Sequence, residues 1–500
     1  MCTQETLNPH SPNHHREKQR SPDTNMSRRT FLTSAAAGTG VIAAFGKLGI
    51  LRRSGMGTAG AIGPENQPVI RVAFVRPDTE QYYMGWPGAQ YNIQAHQQQY
   101  TLILTEAAEK FGLSLDIAEK PLHSDSMVEA FIRNLQQDPP DGLVLISMSL
   151  NDPAWPHINT IAEKKGAIPT VVFSQLGTSF TGHLQGTRNI DRLFVAATQN
   201  TAWLEYGLRM LKTIWAMANT RICVVRGNEF RDQALDVIGT TLHYIPRERF
   251  KDEFFAMQST GEMQEMCDYY YSQARKIVEP EEQDMLNAAK NYFVARKIME
   301  DENCHGITMD CLGLIGSRQI PCPPCLAWSR FLDEGTVAAC EADWNAAISM
   351  QLTHLLFDRP GFMQDPAPNT VSNTLNGAHC VSATRLYGFD RPGEPFVLRS
   401  HSESELGVAT QVFWREGQEI TIMEFDGPER MIIGTGTVLG NNDTPPAGGC
   451  RTSVETTVDG AGDTRDVRGF HQLFIYGNLE KELRAYCQLS GIKADPLVSG

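Results

Sequence analysis

Residues 69–75 read Val69-Ile-Arg-Val-Ala-Phe-Val75, an apolar and largely β-branched run that predicts a buried strand. The chain then alternates between predicted helices at 94–111, 126–136 and 156–165 and predicted strands at 114–117, 142–147 and 170–173. Short polar loops separate these elements. This alternation is typical of a doubly wound parallel sheet.

A second alternating unit begins around Asp191. It contains predicted strands at 221–226 and 306–309, and predicted helices at 199–217, broadly 260–300, and 336–357. No glycine-rich phosphate-binding motif follows any predicted strand, so a dinucleotide or a P-loop nucleotide has no local support.

After about residue 358 the composition changes. Proline and glycine become frequent, and short predicted strands replace helices at 396–398, 409–414, 419–424 and 431–439. A predicted strand at 472–476 and an amphipathic helix at 479–489 follow. Short strands at this spacing predict a small antiparallel barrel or sandwich.

The charge of the chain is unevenly distributed. The 500 residues carry a formal net charge of −14, which argues against a nucleic-acid partner. Residues 1–53 nevertheless hold eight Lys and Arg against three Asp and Glu. Within this basic leader, Ser27-Arg-Arg-Thr-Phe-Leu32 precedes a weakly apolar run at 33–45. That run is too short to cross a bilayer core of about 30 Å as a helix.

The leader resembles a bacterial twin-arginine export signal. This resemblance predicts an exported protein that is periplasmic or extracytoplasmic. The alternative is a disordered basic tail. No later segment is apolar enough to cross a membrane, so we predict no stable membrane span.

Eleven cysteines occur at irregular spacing, which does not predict a secreted disulfide scaffold. Cys322-Pro-Pro-Cys325 is a CxxC sequence without a second CxxC at zinc-ribbon spacing. Its two prolines are unlike a redox motif that starts a helix. We interpret these residues as structural loop cysteines, with a redox or metal role as the alternative.

Four residues form a candidate metal site: Glu341, Asp365, His379 and His471. Two carboxylates and two imidazoles are a donor set for a hard or borderline divalent cation. Glu341 is expected on a helix, Asp365 and His379 in loops, and His471 before a strand. Their spacing alone does not establish that they converge.

Several motifs resemble proteins of the L-fucose/L-arabinose isomerase-like family. The resemblance covers most of residues 68–490 and is strongest from about 305 to 480. It rests on these stretches: Tyr83-Met-Gly-Trp86-Pro-Gly88, Pro324-Cys-Leu-Ala-Trp-Ser-Arg330, Glu334-Gly335, Ala339-Cys-Glu341-Ala-Asp343, Asn373-Thr-Leu-Asn-Gly-Ala-His379-Cys380, Leu398-Arg-Ser-His401, Gly449-Cys-Arg451-Thr452, and His471 before Tyr476-Gly477.

The resemblance implies an α/β protein with two Rossmann-like doubly wound parallel-sheet domains followed by a C-terminal antiparallel β-barrel domain. The expected divisions are a leader at 1–66, an N-terminal domain at 67–190, a second domain at 191–357 and the barrel at 358–500. Family members are oligomers that use a manganese-type divalent metal, so we expect a homo-oligomer and Mn²⁺.

The resemblance also implies roles for individual residues. Glu341 and Asp365 would bind the metal and move protons, and His379 and His471 would be further metal ligands. Candidate substrate contacts are Trp86, His401 and Arg451. Trp86 is equally interpretable as a packed loop anchor, His401 also fits a structural role, and for Arg451 a salt bridge is the favoured alternative.

The predicted function is interconversion of an aldose and a ketose through an enediol, with a monosaccharide as substrate. The alternatives are an exported sugar-binding protein and a catalytically inactive relative. A barrel-like final third argues against a two-lobed binding protein. The known enzymes of the family act on free sugars in the cytoplasm, so an export signal departs from the family pattern.

Overall fold

The computed structural model describes residues 67–84, 88–150, 154–442 and 450–499. The predicted leader, with its Arg28-Arg29 pair, and the predicted substrate contact Trp86 lie outside these described residues. Within the described ranges, no helix combines the length and the apolar character that crossing a membrane requires.

The first sheet has five parallel strands in the order β4-β1-β5-β6-β7. Its strand β7 pairs with β6, so this sheet extends past the expected division at residue 190. The elements of this part of the chain are β1 (Val69–Val75), β2 (Gln81–Met84), β3 (Ala89–Asn92), α1 (Ile93–Phe111), β4 (Ser114–Ile117), α2 (Asp125–Gln137), β5 (Gly142–Ser147), α3 (Ala154–Lys164), β6 (Thr170–Ser174), α4 (Thr181–Gln185) and β7 (Leu193–Ala197).

The apolar run at 69–75 reflects burial of the first sheet on both faces. Successive side chains of a strand point to opposite faces. Val72 and Phe74 belong to one hydrophobic cluster, whereas Ala73 and Val75 belong to another. A strand covered on both sides is apolar at consecutive positions, which explains why the sequence predicts β1 so clearly.

The second sheet has the order β12-β11-β8-β10-β9 and is parallel except at its edge strand β9. The long predicted helix at 260–300 is two helices, α7 and α8. The elements here are α5 (Ala202–Ala218), β8 (Arg221–Val225), β9 (Arg231–Ala234), β10 (Thr241–Ile245), α6 (Arg247–Ala256), α7 (Gly261–Gln273), α8 (Glu282–Asp301), β11 (Gly306–Met309), α9 (Cys311–Gly316), α10 (Cys325–Asp333), β12 (Val337–Cys340) and α11 (Trp344–Phe357).

The predicted helix at 336–357 is wrong at its start. Val337–Cys340 forms the strand β12, and the helix α11 begins only at Trp344. All four residues of β12 are buried and pair in parallel with β11. Tertiary pairing therefore overrides the helical preference of the alanines in this segment.

The C-terminal region contains a closed antiparallel barrel of six strands. The strand order is β17-β20-β13-β14-β19-β18, and pairing between β17 and β18 closes it, while β21 adds to β18 in parallel. Of the two alternatives, barrel and sandwich, the barrel is therefore confirmed. The strands of this region, in which β15 and β16 form a separate two-stranded sheet, are β13 (Phe362–Asn369), β14 (Thr374–His379), β15 (Phe396–Arg399), β16 (Ala409–Val412), β17 (Glu419–Phe425), β18 (Arg430–Asn441), β19 (Thr452–Val458), β20 (Gln472–Tyr476) and β21 (Lys493–Pro496).

Two helical elements accompany the barrel strands, namely a short 3₁₀ helix at Thr464–Asp466 and the helix α12 (Glu480–Ser490). The helix α11 packs against both β12 and β17. Within that contact, the Phe425 N–H donates to Ser349 Oγ over 2.9 Å. Since α11 starts just after the end of β12, its packing fixes the position of this strand end relative to the barrel.

Candidate metal centre

Glu341 lies in the turn between β12 and α11, and not on a helix as the sequence predicts. The φ angles of Glu341 and Ala342 are 61° and 53°, in the left-handed region that side chains rarely adopt. Asp343 follows and caps α11, since its Oδ1 accepts from the Ala346 N–H over 3.0 Å. This strained turn places Glu341 at the carboxyl end of the second sheet.

Asp365 and His379 lie on neighbouring barrel strands, and the prediction of loops for both is wrong. Asp365 is part of β13 and pairs with Ala378, and His379 is the last residue of β14. Pro366 and Pro368 argue against a strand, because proline cannot donate a ladder hydrogen bond. They are tolerated since this half of β13 pairs only with β14, whereas β20 pairs with residues 362–364.

His471 immediately precedes β20, as predicted, and its φ angle is 58°. Gln364 with Gln472 is the last pair between β13 and β20, and the side chains of the next residues, Asp365 and His471, are in contact. Backbone strain of this kind costs about 1–3 kcal/mol for each residue and concentrates at functional sites. Two of the four predicted ligands, Glu341 and His471, have this strained left-handed backbone conformation.

The structure brings the four predicted residues together. His471 Nε2 is 3.1 Å from Asp365 Oδ1 and 3.6 Å from Glu341 Oε2, and His379 Nε2 is 3.7 Å from Glu341 Oε1. One donor atom from each of Glu341, His379 and His471 lies within 4.8 Å of the other two. We call Glu341, Asp365, His379 and His471 the acid–histidine cluster.

Several buried polar atoms of the acid–histidine cluster have no hydrogen-bond partner. They are Asp365 Oδ1, both ring nitrogens of His379, and His471 Nε2. The 3.1 Å contact between His471 and Asp365 is close enough for an ion pair but is not aligned as a hydrogen bond. A buried polar atom without a partner costs about 1–3 kcal/mol. The residues therefore fit a divalent cation, which accepts carboxylate oxygen and imidazole nitrogen as ligands.

Asp343 orients the His471 ring. Its Oδ2 lies 2.8 Å from His471 Nδ1, so Nδ1 donates to the carboxylate and Nε2 is directed into the cluster. A carboxylate that holds the far nitrogen of a ligating histidine fixes its tautomer and increases its basicity. One carboxylate oxygen of Asp343 thus caps α11, and the other orients His471 in the cluster.

The electrostatic environment favours positive charge at the cluster. Burial lowers the pKa of His471, but the hydrogen bond to Asp343 and the ion-pair contact with Asp365 outweigh it and raise the pKa to about 10. Burial also lowers the pKa of His379, but the contact with Glu341 outweighs burial, and the pKa is raised overall. The cluster therefore attracts a cationic species, either protons on its histidines or a metal ion.

Glu424, on β17, extends this acidic region. Burial and the neighbouring Asp343 raise the pKa of Glu424 to about 8, and its Oε2 accepts from the Phe470 N–H over 3.0 Å. Glu424 therefore accepts a hydrogen bond from the residue before His471. The protonated form of Glu424 adds no negative charge near Asp343.

A cavity adjoins the acid–histidine cluster. Glu341, Asp365 and His379 line it, together with His401, the exposed Leu312 and Glu403, and cysteines from distant parts of the chain. His401 is buried and its Nδ1 lies 3.0 Å from Ser404 Oγ. The predicted substrate contact His401 is therefore placed beside the candidate metal centre.

Arg451 does not line this cavity. Its Nε donates to the Ser400 carbonyl over 2.7 Å and its Nη2 donates to Ser400 Oγ over 3.0 Å. The guanidinium thus supports the backbone before His401. A direct contact between Arg451 and substrate stays a prediction, and the observed hydrogen bonds are those of a supporting residue.

From the sequence, Asp343 is interpreted as a supporting charge that could replace a ligand, and no cysteine is placed in the cavity. The signal for Asp343 is its position, two residues after a predicted ligand and at the start of a helix. The cavity cysteines had no such signal, because they come from separate segments: Cys311, Cys325, Cys340, Cys380 and Cys450.

No protein-family model and no curated protein matches this chain. The resemblance to the isomerase family therefore rests on the motifs alone, and function is argued from the geometry of the acid–histidine cluster.

Proposed function

We propose that this chain is a metal-dependent isomerase that interconverts an aldose and a ketose of a monosaccharide. The observation that carries the proposal is the convergence of Glu341, His379 and His471 beside a cavity, with Asp365 in contact with His471. Three of these residues, Glu341, His379 and His471, lie in the motifs that resemble L-fucose/L-arabinose isomerase-like proteins.

The four cluster residues would hold the cation, for which Mn²⁺ is the proposed identity. Such a cation supplies Lewis acidity toward the adjacent carbonyl and hydroxyl oxygens of the sugar. His379 and His471 are held by buried surroundings, and Asp343 fixes the ring of His471. His471 would therefore offer Nε2 to the cation in a fixed ring orientation.

The carboxylates are the candidate proton carriers. The side chains of Glu341 and Asp365 are 31% and 38% exposed, whereas those of His379 and His471 are nearly buried. Aldose–ketose interconversion removes a proton from one sugar carbon and returns it to the neighbouring carbon, with an enediol between. A carboxylate that faces the cavity can accept and return that proton. Both carboxylates meet this requirement.

The test is an assay of purified protein against a panel of pentoses and 6-deoxyhexoses with added Mn²⁺. We expect interconversion that EDTA abolishes and that the E341Q variant lacks. If no sugar in the panel is converted with any divalent metal, the enzymatic proposal fails.

Binding measurements separate the enzyme from a sugar-binding protein. A binding protein would retain sugar affinity in EDTA, whereas the proposed site should lose it. An inactive relative would show no gain in thermal stability on addition of metal, because a ligand stabilises only the state that binds it.

We also propose export by the twin-arginine route and assembly as a homo-oligomer. The first rests on the Arg28-Arg29 motif and the second on the family resemblance. Fractionation of cells that express the full chain, with an R28K/R29K control, tests export. Light scattering of the purified protein tests assembly.

A further inference from the structure

The cavity beside the acid–histidine cluster is too small to hold a whole monosaccharide. Its volume is about 40 Å³, whereas a single water requires about 10–15 Å³. Only a few atoms of a sugar therefore fit inside. The proposed reaction takes place at the carbonyl and the neighbouring hydroxyl carbon, so that end of the sugar enters the cavity and the distal carbons lie at its mouth.

The mouth of the cavity is formed by Leu312 and Glu403. These two are the exposed members among the described residues that line the cavity, and the other lining residues are buried or half-buried. Leu312, on α9, offers only an apolar surface. Glu403 is therefore the exposed polar side chain that is available to the distal part of a bound sugar.

Glu403 lies in a turn whose backbone is fixed by hydrogen bonds. The His401 N–H donates to the Leu406 carbonyl over 3.0 Å, and the Glu405 N–H donates to the His401 carbonyl over 2.9 Å. His401 Nδ1 also accepts from the Ser404 N–H over 3.3 Å. The turn therefore holds Glu403 at the cavity before a ligand binds, and a contact made there costs little backbone ordering.

The carboxylate of Glu403 has no partner within the part of the chain that the structure describes, in hydrogen bonds or in ion pairs. Such a glutamate on an open surface is simply solvated. At the mouth of this cavity, both of its oxygens lie where the distal hydroxyl groups of a sugar would be. A carboxylate accepts hydrogen bonds from hydroxyl groups, and these charge-assisted bonds are about twice as strong as neutral ones.

We propose that Glu403 is a specificity-determining substrate contact, which accepts hydrogen bonds from the distal hydroxyl groups of a neutral monosaccharide. This inference rests on the proposed function, because it requires the reacting end of the sugar to occupy the cavity. A negative carboxylate at the mouth also repels sugars that carry a phosphate or a carboxylate at the distal end. Neutral sugars with free distal hydroxyl groups are therefore the substrate class that Glu403 selects.

This role has a specific kinetic signature. The distal hydroxyl groups do not react, so their contact with Glu403 is equally strong in the bound substrate and in the transition state. Loss of such a contact raises KM and leaves kcat unchanged. We expect KM to rise about tenfold in the E403A variant, at the lower end of the effect of hydrogen bonds to charged groups, because the mouth is open to solvent.

The experiment compares E403A with E405A in the full chain loaded with Mn²⁺. Glu405 is the matched control, because it is an exposed glutamate in the same turn and does not line the cavity. The substrates are the sugar of the panel that the wild type converts best and its analogues that each lack one distal hydroxyl group. For one analogue, KM of the wild type should rise about tenfold. In E403A that analogue and the parent sugar should have equal KM values, because the contact is already absent.

E405A should behave as the wild type does with every sugar, and titration with Mn²⁺ alone should give wild-type affinity in both variants. An unchanged KM in E403A, an equal rise in E405A, or a full additional loss for the deoxy analogue in E403A would overturn the role of Glu403 and leave the proposed function intact. If the wild type binds Mn²⁺ but converts no sugar, the proposed function fails, and the role of Glu403 fails with it.

Discussion

Two groups of histidine and acidic side chains lie at opposite ends of the second sheet, and they differ in hydrogen bonding. At the amino end, His243 Nδ1 is 2.6 Å from Asp232 Oδ1 and His243 Nε2 is 3.1 Å from Glu302 Oε2. Arg221 also donates to Asp232 over 2.8 Å. At the carboxyl end lies the acid–histidine cluster, with four buried polar atoms that have no partner.

The difference separates a structural ion-pair group from a candidate binding site. The His243 group satisfies its ring nitrogens with its own neighbours, and none of its described members has a positive φ angle. The acid–histidine cluster retains unpartnered ring nitrogens and holds Glu341 and His471 in left-handed backbone conformations. Residue types alone would not distinguish the two groups, whereas unmet hydrogen bonding and backbone strain do.

The largest expected effect comes from exchanging one glutamate in each group. The E341Q variant should lose Mn²⁺ affinity by at least about 100-fold, because it removes a charged ligand rather than only a supporting contact. The matched E302Q variant should bind Mn²⁺ as the wild type does. Isothermal titration calorimetry measures both, and equal losses in the two variants would erase the distinction between the groups.

A smaller loss is expected when only the orientation of His471 is disturbed. The D343N variant should bind Mn²⁺ about 10- to 100-fold more weakly, since the carboxylate that holds Nδ1 is replaced. Its amide oxygen can still accept from the Ala346 N–H, so thermal unfolding should change little. D232N is the control, and wild-type Mn²⁺ affinity in D343N would contradict the positioning role.

The pH dependence of metal binding follows from the protonation of His471 in the acid–histidine cluster. With a pKa of about 10, His471 binds a proton at neutral pH, and a metal ion must displace it. Mn²⁺ affinity should therefore rise with pH, by about tenfold per pH unit between pH 6 and 8 for one proton released. Calorimetry in buffers of different ionisation enthalpy counts that proton, and a pH-independent affinity would refute the assignment.

The smallest expected effect concerns stability without added metal. The E341G variant should raise the free energy of unfolding by about 1 kcal/mol, because glycine adopts the left-handed conformation without the side-chain penalty. The E302G variant should lower it, since Glu302 has a negative φ angle and contacts His243. Urea denaturation measures both changes, and destabilisation in E341G would show that the strain argument is wrong.

Much of the fold follows from local pattern, and the reasons for the misses are specific. The strands β1, β5 and β6 are apolar throughout because both sheet faces are buried, so they are predictable. The strands β13, β14 and β19 were not predicted. The prolines of β13 lie in the half that pairs only with β14, and β14 and β19 carry polar residues such as Asn376 and Glu455 between buried positions.

The candidate site was predictable in its residue types but not in its geometry. Glu341 was assigned to a helix because the alanines before it favour one, whereas pairing with β11 makes that segment a strand. The role of Asp343 depends on a contact across 128 positions, which no local pattern records. The distribution of the cavity cysteines over separate elements has the same cause, since only tertiary structure brings them together.

The most direct test of the metal centre is the position of Mn²⁺ in a crystal of the full chain, located by its anomalous scattering. We expect one peak at about 2.0–2.4 Å from donor atoms of Glu341, Asp365, His379 and His471. A peak beside His243, or no peak at the acid–histidine cluster in crystals that contain Mn²⁺, would contradict the assignment.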